Sequence, residues 1–192
     1  MVAEGYINYF SVLEISPDAN PGEVRKSYKR LMKELVVEIS QAQLTEEGRN
    51  QYLLKMAQLN AAFYILRDEA RRVKYVEDRD RAMALEAEWS AEVAAKSDKA
   101  EPLRRQYDAA LKHYLSAYME ELMLEAGRDS ECVEASHWDA NHERHASRVL
   151  RQYRQRLYHQ IHERLPFYDI TRPEIDWDER GRAVASMLAE RN

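Results

Sequence analysis

No proline or glycine interrupts the chain from Val24 to Glu47. A stretch of that length is committed to helix when its apolar residues also recur at helical spacing. Here Val24, Tyr28, Leu31 and Leu35 fall at i, i+4, i+7 and i+11, and the phase continues through Ile39 and Ala42. They make one apolar stripe, while Arg25, Lys26, Lys29, Arg30 and Lys33 make the remaining faces basic. The start is marked as well. Asn20, Pro21 and Glu23 stand at the N-cap, first and third helical positions, where an amide oxygen, a missing N–H and a carboxylate each suit the helix's orphan donors and positive end.

Composition points the same way. Five glycines and five prolines in 192 residues argue against a turn-rich β fold and for helices. A net charge of −5 excludes a strongly basic nucleic-acid binder overall but leaves room for a local patch. The single Cys132 forms no internal disulfide, so nothing calls for an oxidising compartment. No run of about 18 apolar residues occurs, and Met1 to Asn8 lacks a charged segment followed by an apolar core. The expectation is a cytoplasmic protein without a membrane span.

The neighbours of the first stretch extend the pattern. Tyr9, Phe10, Val12, Leu13 and Ile15 form an apolar cluster in Y-F-S-V-L-E-I-S, followed by a turn at Ser16-Pro17-Asp18-Ala19. Thr45 with Glu46 and Glu47 opens the next helix, in which Tyr52, Met56, Leu59, Phe63 and Leu66 share a face. From Met56 the chain reads M-A-Q-L-N-A-A-F-Y-I-L-R-D-E-A-R-R-V-K-Y. Over residues 6–78 this order of motifs resembles a J-domain, the co-chaperone module that docks on DnaK-type chaperones. Asn60, Ala62, Phe63, Leu66, Asp68, Arg71, Arg72 and Tyr75 match the residue types usual in that family. Where the family carries His-Pro-Asp just past its second helix, this chain has Val36-Val37-Glu38. The resemblance therefore implies a degenerate J-like domain with a longer second helix. It retains the basic docking helix and lacks the loop that couples docking to ATP hydrolysis.

Beyond Asp78 the resemblance ends. Ala82, Leu85, Trp89 and Val93 share a face of an expected helical connector, broken near Ser97-Asp98-Lys99 and Pro102. The next helix carries Leu103, Tyr107, Ala110, Leu111, Tyr114, Tyr118 and Leu122, with Gly127 as its C-cap. A polar connection runs to about Ser136. A second long helix, about Trp138 to Leu165, carries Ala146, Leu150, Tyr153, Leu157 and Ile161, and Pro166 ends it. These two helices are expected to form an antiparallel hairpin. An irregular stretch over 167–175 then precedes a short helix capped by Asp176 and Glu179, with Trp177, Val184, Met187 and Leu188 inward. The division is a J-like domain over 1–78, a connector over 79–101 and a C-terminal helical domain over 102–192, all-α throughout.

Four groups of residues invite a chemical reading. The basic residues Arg25, Lys26, Lys29, Arg30 and Lys33 suit an anionic protein surface, and equally a solvated helix face. Val36 and Val37 suit either the core of a longer hairpin or an exposed partner contact. His137, His142 and His145 lie near Cys132 and Asp139, but no zinc motif frames them, and surface or packing histidines explain them as well. Arg144, Arg148 and Arg151 share a face. They either pair with acidic residues in the hairpin or in a neighbouring element, or form a phosphate-binding stripe with Tyr153 and Tyr158 to stack. No Gly-rich phosphate loop, Gly-x-Ser-x-Gly or kinase set occurs, and the acidic surroundings of Cys132 disfavour a thiolate.

The sequence thus predicts a non-catalytic interaction or assembly protein without cofactor or metal. Its partner-binding residues would be Arg25, Lys26, Lys29, Arg30, Lys33, Val36 and Val37. The partner would be another protein: a J-protein, a DnaK-type chaperone or a specific client complex. Nucleic-acid binding through the arginine-rich helix stands second, weighed against by the net acidic chain. A histidine-based metal enzyme stands third.

Overall fold

The computed structural model describes residues 7–41, 45–118 and 122–164, apart from the side chains at 41, 122 and 160–164. The helices are α1 (Tyr9–Val12), α2 (Pro21–Gln41), α3 (Glu46–Leu66), α4 (Glu69–Ala94), α5 (Ala100–Ser116), α6 (Leu122–Ala126), α7 (Ser130–Ser136) and α8 (Ala140–Arg164). No strand occurs among the described residues, and the fold is all-α as expected. The expected stop at Pro166, the irregular stretch over 167–175 and the terminal helix capped by Asp176 lie outside them.

Side-chain caps fix several helix starts. The Asn20 side-chain oxygen accepts from the N–H groups of Gly22 (2.9 Å) and Glu23 (3.1 Å), and the Glu23 carboxylate accepts from Asn20 N–H (2.8 Å). This reciprocal box satisfies donors that the first turn cannot bond internally. Thr45 accepts from Gly48 N–H, and Asp68 accepts from Arg71 N–H. In the turn before α2, Ala19 N–H bonds Ser16 O at 3.0 Å. The Arg72 guanidinium holds that turn by donating to the carbonyls of Ala19 (2.7 Å) and Pro17.

α2 and α3 form an antiparallel pair. The Tyr28 ring stacks on Phe63 with centroids 4.2 Å apart, and at the far end the Tyr52 hydroxyl donates to Glu38 at 2.9 Å. Val24, Tyr28, Met32 and Leu35 are the buried residues of α2, and Leu31 is half-buried. The stripe expected through Leu31 is thus rotated slightly toward Met32.

The molecule is built around α3 rather than α2. Leu53, Met56, Ala57, Leu59, Asn60, Ala61, Ala62, Phe63, Ile65 and Leu66 are all buried, which no single helical stripe accounts for. α1, α2, α4, α6, α7 and α8 all pack against this helix. Small side chains at Ala57, Ala61 and Ala62 let neighbours approach on the sides that the apolar stripe leaves open.

The tight C-terminal pair is α4 with α5, which corrects the expected hairpin of α5 with α8. Trp89 stacks on Tyr107 at 5.4 Å, His113 Nε2 lies 3.4 Å from Asp78, and Tyr75 meets Tyr118 edge-on at 5.4 Å. These pairs run antiparallel. α8 instead lies chiefly against α3, burying Ala146, Leu150 and Leu157. One buried cluster runs from Ile7 to Leu157, and α4 crosses position 78 as a single helix.

Two further expectations change. The polar connection before Ser136 contains α7, capped by Asp129, whose side chain accepts from Cys132 N–H at 3.2 Å. Gly127 has no left-handed backbone of the kind a C-cap glycine uses. Its role is close approach: a Cβ there would lie 2.5 Å from Trp138 Nε1. Trp138 is buried, so its ring cannot swing into solvent. Gly127→Ala is expected to cost about 1–3 kcal/mol, the usual range for overpacking. A denaturant melt of the variant measures it, and an unchanged midpoint would show that the ring has room to move.

Candidate interaction site

α7 is laid across the basic helix by two sets of bonds. The first is buried and polar. Tyr28 Oη donates to Asn60 Oδ1 (2.9 Å), Asn60 Nδ2 donates to Ser136 Oγ (3.2 Å), and Ser136 Oγ donates to Cys132 O (2.6 Å). Cys132 Sγ closes the ring toward Asn60 O at 3.8 Å. Asn60 and Ser136 are almost wholly buried, so each polar atom needs a partner of this kind. Burial, with the nearby Asp129 carboxylate, pushes the Cys132 thiol up to about 12. It is a packing group and a poor nucleophile.

The second set is ionic. Glu131 accepts from Arg25 Nε (2.9 Å) and Nη2 (3.2 Å), and Arg67 Nη1 approaches it at 3.3 Å. Arg67 also forks onto Asp129 at 2.5 and 3.1 Å, and its guanidinium lies 4.9 Å from the centre of the Phe63 ring. The Arg25 hydrogen bond holds the Glu131 carboxyl below its ordinary value. At Asp129 burial opposes ionisation, but the Arg67 bond and the Cys132 N–H outweigh it, and that carboxyl is lowered too. Depressed carboxyls stabilise the fold above their unfolded values and lose that contribution as pH falls through their folded ones. The protection of α7 against hydrogen exchange is therefore expected to fall below about pH 4, ahead of that of the α4–α5 pair. Equal protection of both at pH 3 would contradict this.

Between α2 and α7 an open groove of about 370 Å³ remains. Lys29, Lys33, Val36 and Val37 form the α2 wall; Glu131, Glu134 and His137 form the other, with Met32 and Ala135 between them. One wall is cationic and apolar, the other anionic. Val36 packs partly on the core, whereas Val37 is 45% exposed.

The expected partner-binding residues are thus divided among different surroundings. Lys29, Lys33, Val36 and Val37 come together in the groove. Arg25 is held by Glu131, and Arg30 turns the other way to Glu14 (2.6 Å) and Glu34 (3.4 Å). Lys26 is exposed outside the groove. Arg67, Asp129, Glu131 and His137 belong to the same surface but were not expected there. Asp129 followed by Glu131 carries the usual signal of a helix start, a capping side chain and an acid in the first turn.

The histidines are not gathered into a centre. His142 Nδ1 lies 2.7 Å from Asp139 at the start of α8 and its ring stacks on Trp138, while His137 ends α7 with φ 53°. Among the described residues no three His, Cys, Asp or Glu side chains are placed to hold a metal ion. Within the acidic segment, Asp129 and Glu131 pair with Arg67 and Arg25, and Glu143 with Arg128. The tyrosines expected to stack on bases are partly buried, and Tyr153 packs against the core.

Against known proteins, the chain finds a relative over part of its length. It is 37% identical over 68 residues to the chaperone protein DnaJ of Hydrogenobacter thermophilus, a match covering 35% of this chain and 17% of that protein. The likeness is to a J-domain protein. It supports a J-domain-like relationship over about a third of the chain, which spans only a small part of that relative's length. No protein-family model matches the chain, and no solved structure does. No helix of the described residues is long and apolar enough to cross a membrane.

Proposed function

We propose that this chain is a non-catalytic protein-interaction module on a degenerate J-like fold, docking a protein partner at the groove between α2 and α7. The observation that carries this reading is the unbroken course of α2 to Gln41, through Val36, Val37 and Glu38. At the positions where the resemblance places His-Pro-Asp there is neither an imidazole nor a helix break. The first histidine in the chain is His113, and no proline lies between Pro21 and Pro102. A J-like helix of this form offers charge and apolar surface without the coupling loop.

The groove suits a protein rather than a small molecule. It is open, and it offers ammonium groups, carboxylates and an exposed valine along one edge, which is the mixed character of a recognition surface. The inert Cys132 and the absence of catalytic motifs favour binding over chemistry. A DnaK-type chaperone, a J-protein or a client complex is the class of partner in this reading, and a cytoplasmic setting fits it.

The test is a steady-state ATPase assay with a DnaK-type chaperone and the purified chain. The expected result is no stimulation at any ratio. Robust stimulation that disappears when Lys29 and Arg30 are both reversed to glutamate would sink the reading.

A further inference from the structure

The middle of α8 carries charge of one sign. Between 144 and 159 there are five arginines, no lysine and no carboxylate, in a chain whose net charge is −5. Arg144, Arg148 and Arg151 are exposed, while Ala146, Val149, Leu150 and Leu157 on the opposite side are buried. Steps of four and three residues align these arginines in one row, rising about 6 and about 4.5 Å along the axis. Arg144 and Arg148 form no ion pair among the described residues. Of the carboxylates that precede the row in sequence, Asp129 and Glu131 are engaged by Arg67 and Arg25, and Glu143 by Arg128. The row lies on the exposed side of α8, opposite its packing face.

Several observations narrow the ligand. The row is guanidinium throughout, the group that meets phosphate with two parallel bonds. A membrane-surface helix presents an apolar face to lipid, but the apolar face of α8 is spent on the core. The exposed large hydrophobic residues among the described ones are Val37 and Val73, neither of them on α8. Single-strand binders use aromatic platforms, and here Tyr153 packs on the core and Tyr158 is half-buried. That leaves contact with phosphates alone, which a duplex supplies at the highest density. We propose that Arg144, Arg148 and Arg151 form a sequence-independent contact surface for the phosphate backbone of a nucleic-acid duplex. This rests on α8 alone and stands or falls apart from the α2–α7 groove.

Fluorescence anisotropy on the full chain with mixed-sequence 20-bp DNA and RNA duplexes tests it. Three phosphate contacts give a slope of about −2.7 in log affinity against log salt, or about 40-fold weaker binding at 200 mM than at 50 mM. Arg144→Gln with Arg148→Gln should weaken binding at 50 mM and flatten that dependence to about 3- to 4-fold. Circular dichroism verifies that the variant keeps its fold, and Lys74→Gln with Arg81→Gln, exposed on α4, should leave binding unchanged. Binding to either duplex with this pattern supports the proposal. It is overturned by no duplex binding at 50 mM salt, by binding indifferent to the α8 variant, or by equal or tighter binding to polyglutamate or phosphatidylserine vesicles.

Discussion

Tyr75→Ala is expected to destabilise the protein by about 3–5 kcal/mol, the range for truncating a large buried aromatic. At about 2–4 °C per kcal/mol for a chain of this size, the melting temperature should fall by roughly 6–20 °C. Tyr75 has no exposed surface and its ring lies 5.0 Å from Tyr9 and 5.4 Å from Tyr118. Its hydroxyl accepts from Tyr9 N–H at 3.0 Å and donates to Ile7 O at 2.8 Å. That first bond matters because Tyr9 opens α1, and its N–H has no intrahelical acceptor. Asn8 takes the next two donors, Phe10 and Ser11. One hydroxyl from α4 thus completes the cap of the first helix. Tyr75→Phe isolates this effect and should cost about 1–3 kcal/mol, because it strands a buried N–H. Tyr114→Phe should cost less: Ile7 O accepts from Tyr114 at 2.7 Å but keeps its Tyr75 donor when that bond is lost. Chemical denaturation of the three variants tests the order, and a Tyr114→Phe cost above that of Tyr75→Phe would refute the capping argument.

Local features of this kind were legible in the sequence, and their long-range partners were not. Asn20, Pro21 and Glu23 announce the start of α2, and the run without proline predicts its continuation by a turn or more, because caps and periodicity depend on neighbouring residues. The face of α3 containing Phe63 was readable for the same reason. What no stripe discloses is that Ala57, Asn60 and Ala61 are buried as well, since a helix surrounded by others loses its periodicity. Arg25 and Glu131 are separated by 106 positions, and Asn60 and Ser136 by 76. Charge patterning shows that the acidic segment needs cations but not which ones. Proximity in sequence favoured the arginines of α8, whereas Asp129 and Glu131 engage Arg67 and Arg25. The candidate site was therefore legible along its α2 wall and hidden along its α7 wall.

The combined substitution Val36→His, Val37→Pro and Glu38→Asp is expected to end α2 near Leu35 and to leave the chain inactive toward a DnaK-type ATPase. A proline inside a helix loses one bond, clashes with the preceding turn and costs about 3 kcal/mol or more. It also drives the residue before it out of helical geometry. Val37 is largely exposed, so little packing opposes the break there. The losses lie beyond it: the partly buried Ile39, and the contact of Glu38 with Tyr52. Circular dichroism should show fewer helical residues, with hydrogen exchange raised over 36–41 and unchanged in the α4–α5 pair. The second half of the expectation follows from α7. Restoring the triad supplies the loop, but Glu131 still engages Arg25 and approaches Arg67. Under the proposed function, the departure from a working J-domain lies in the covered face as well as in the missing loop. ATPase stimulation by the triple variant alone would show that the loop was the only thing missing. Stimulation that appears only when Glu131→Gln is added would show that α7 also guards the face.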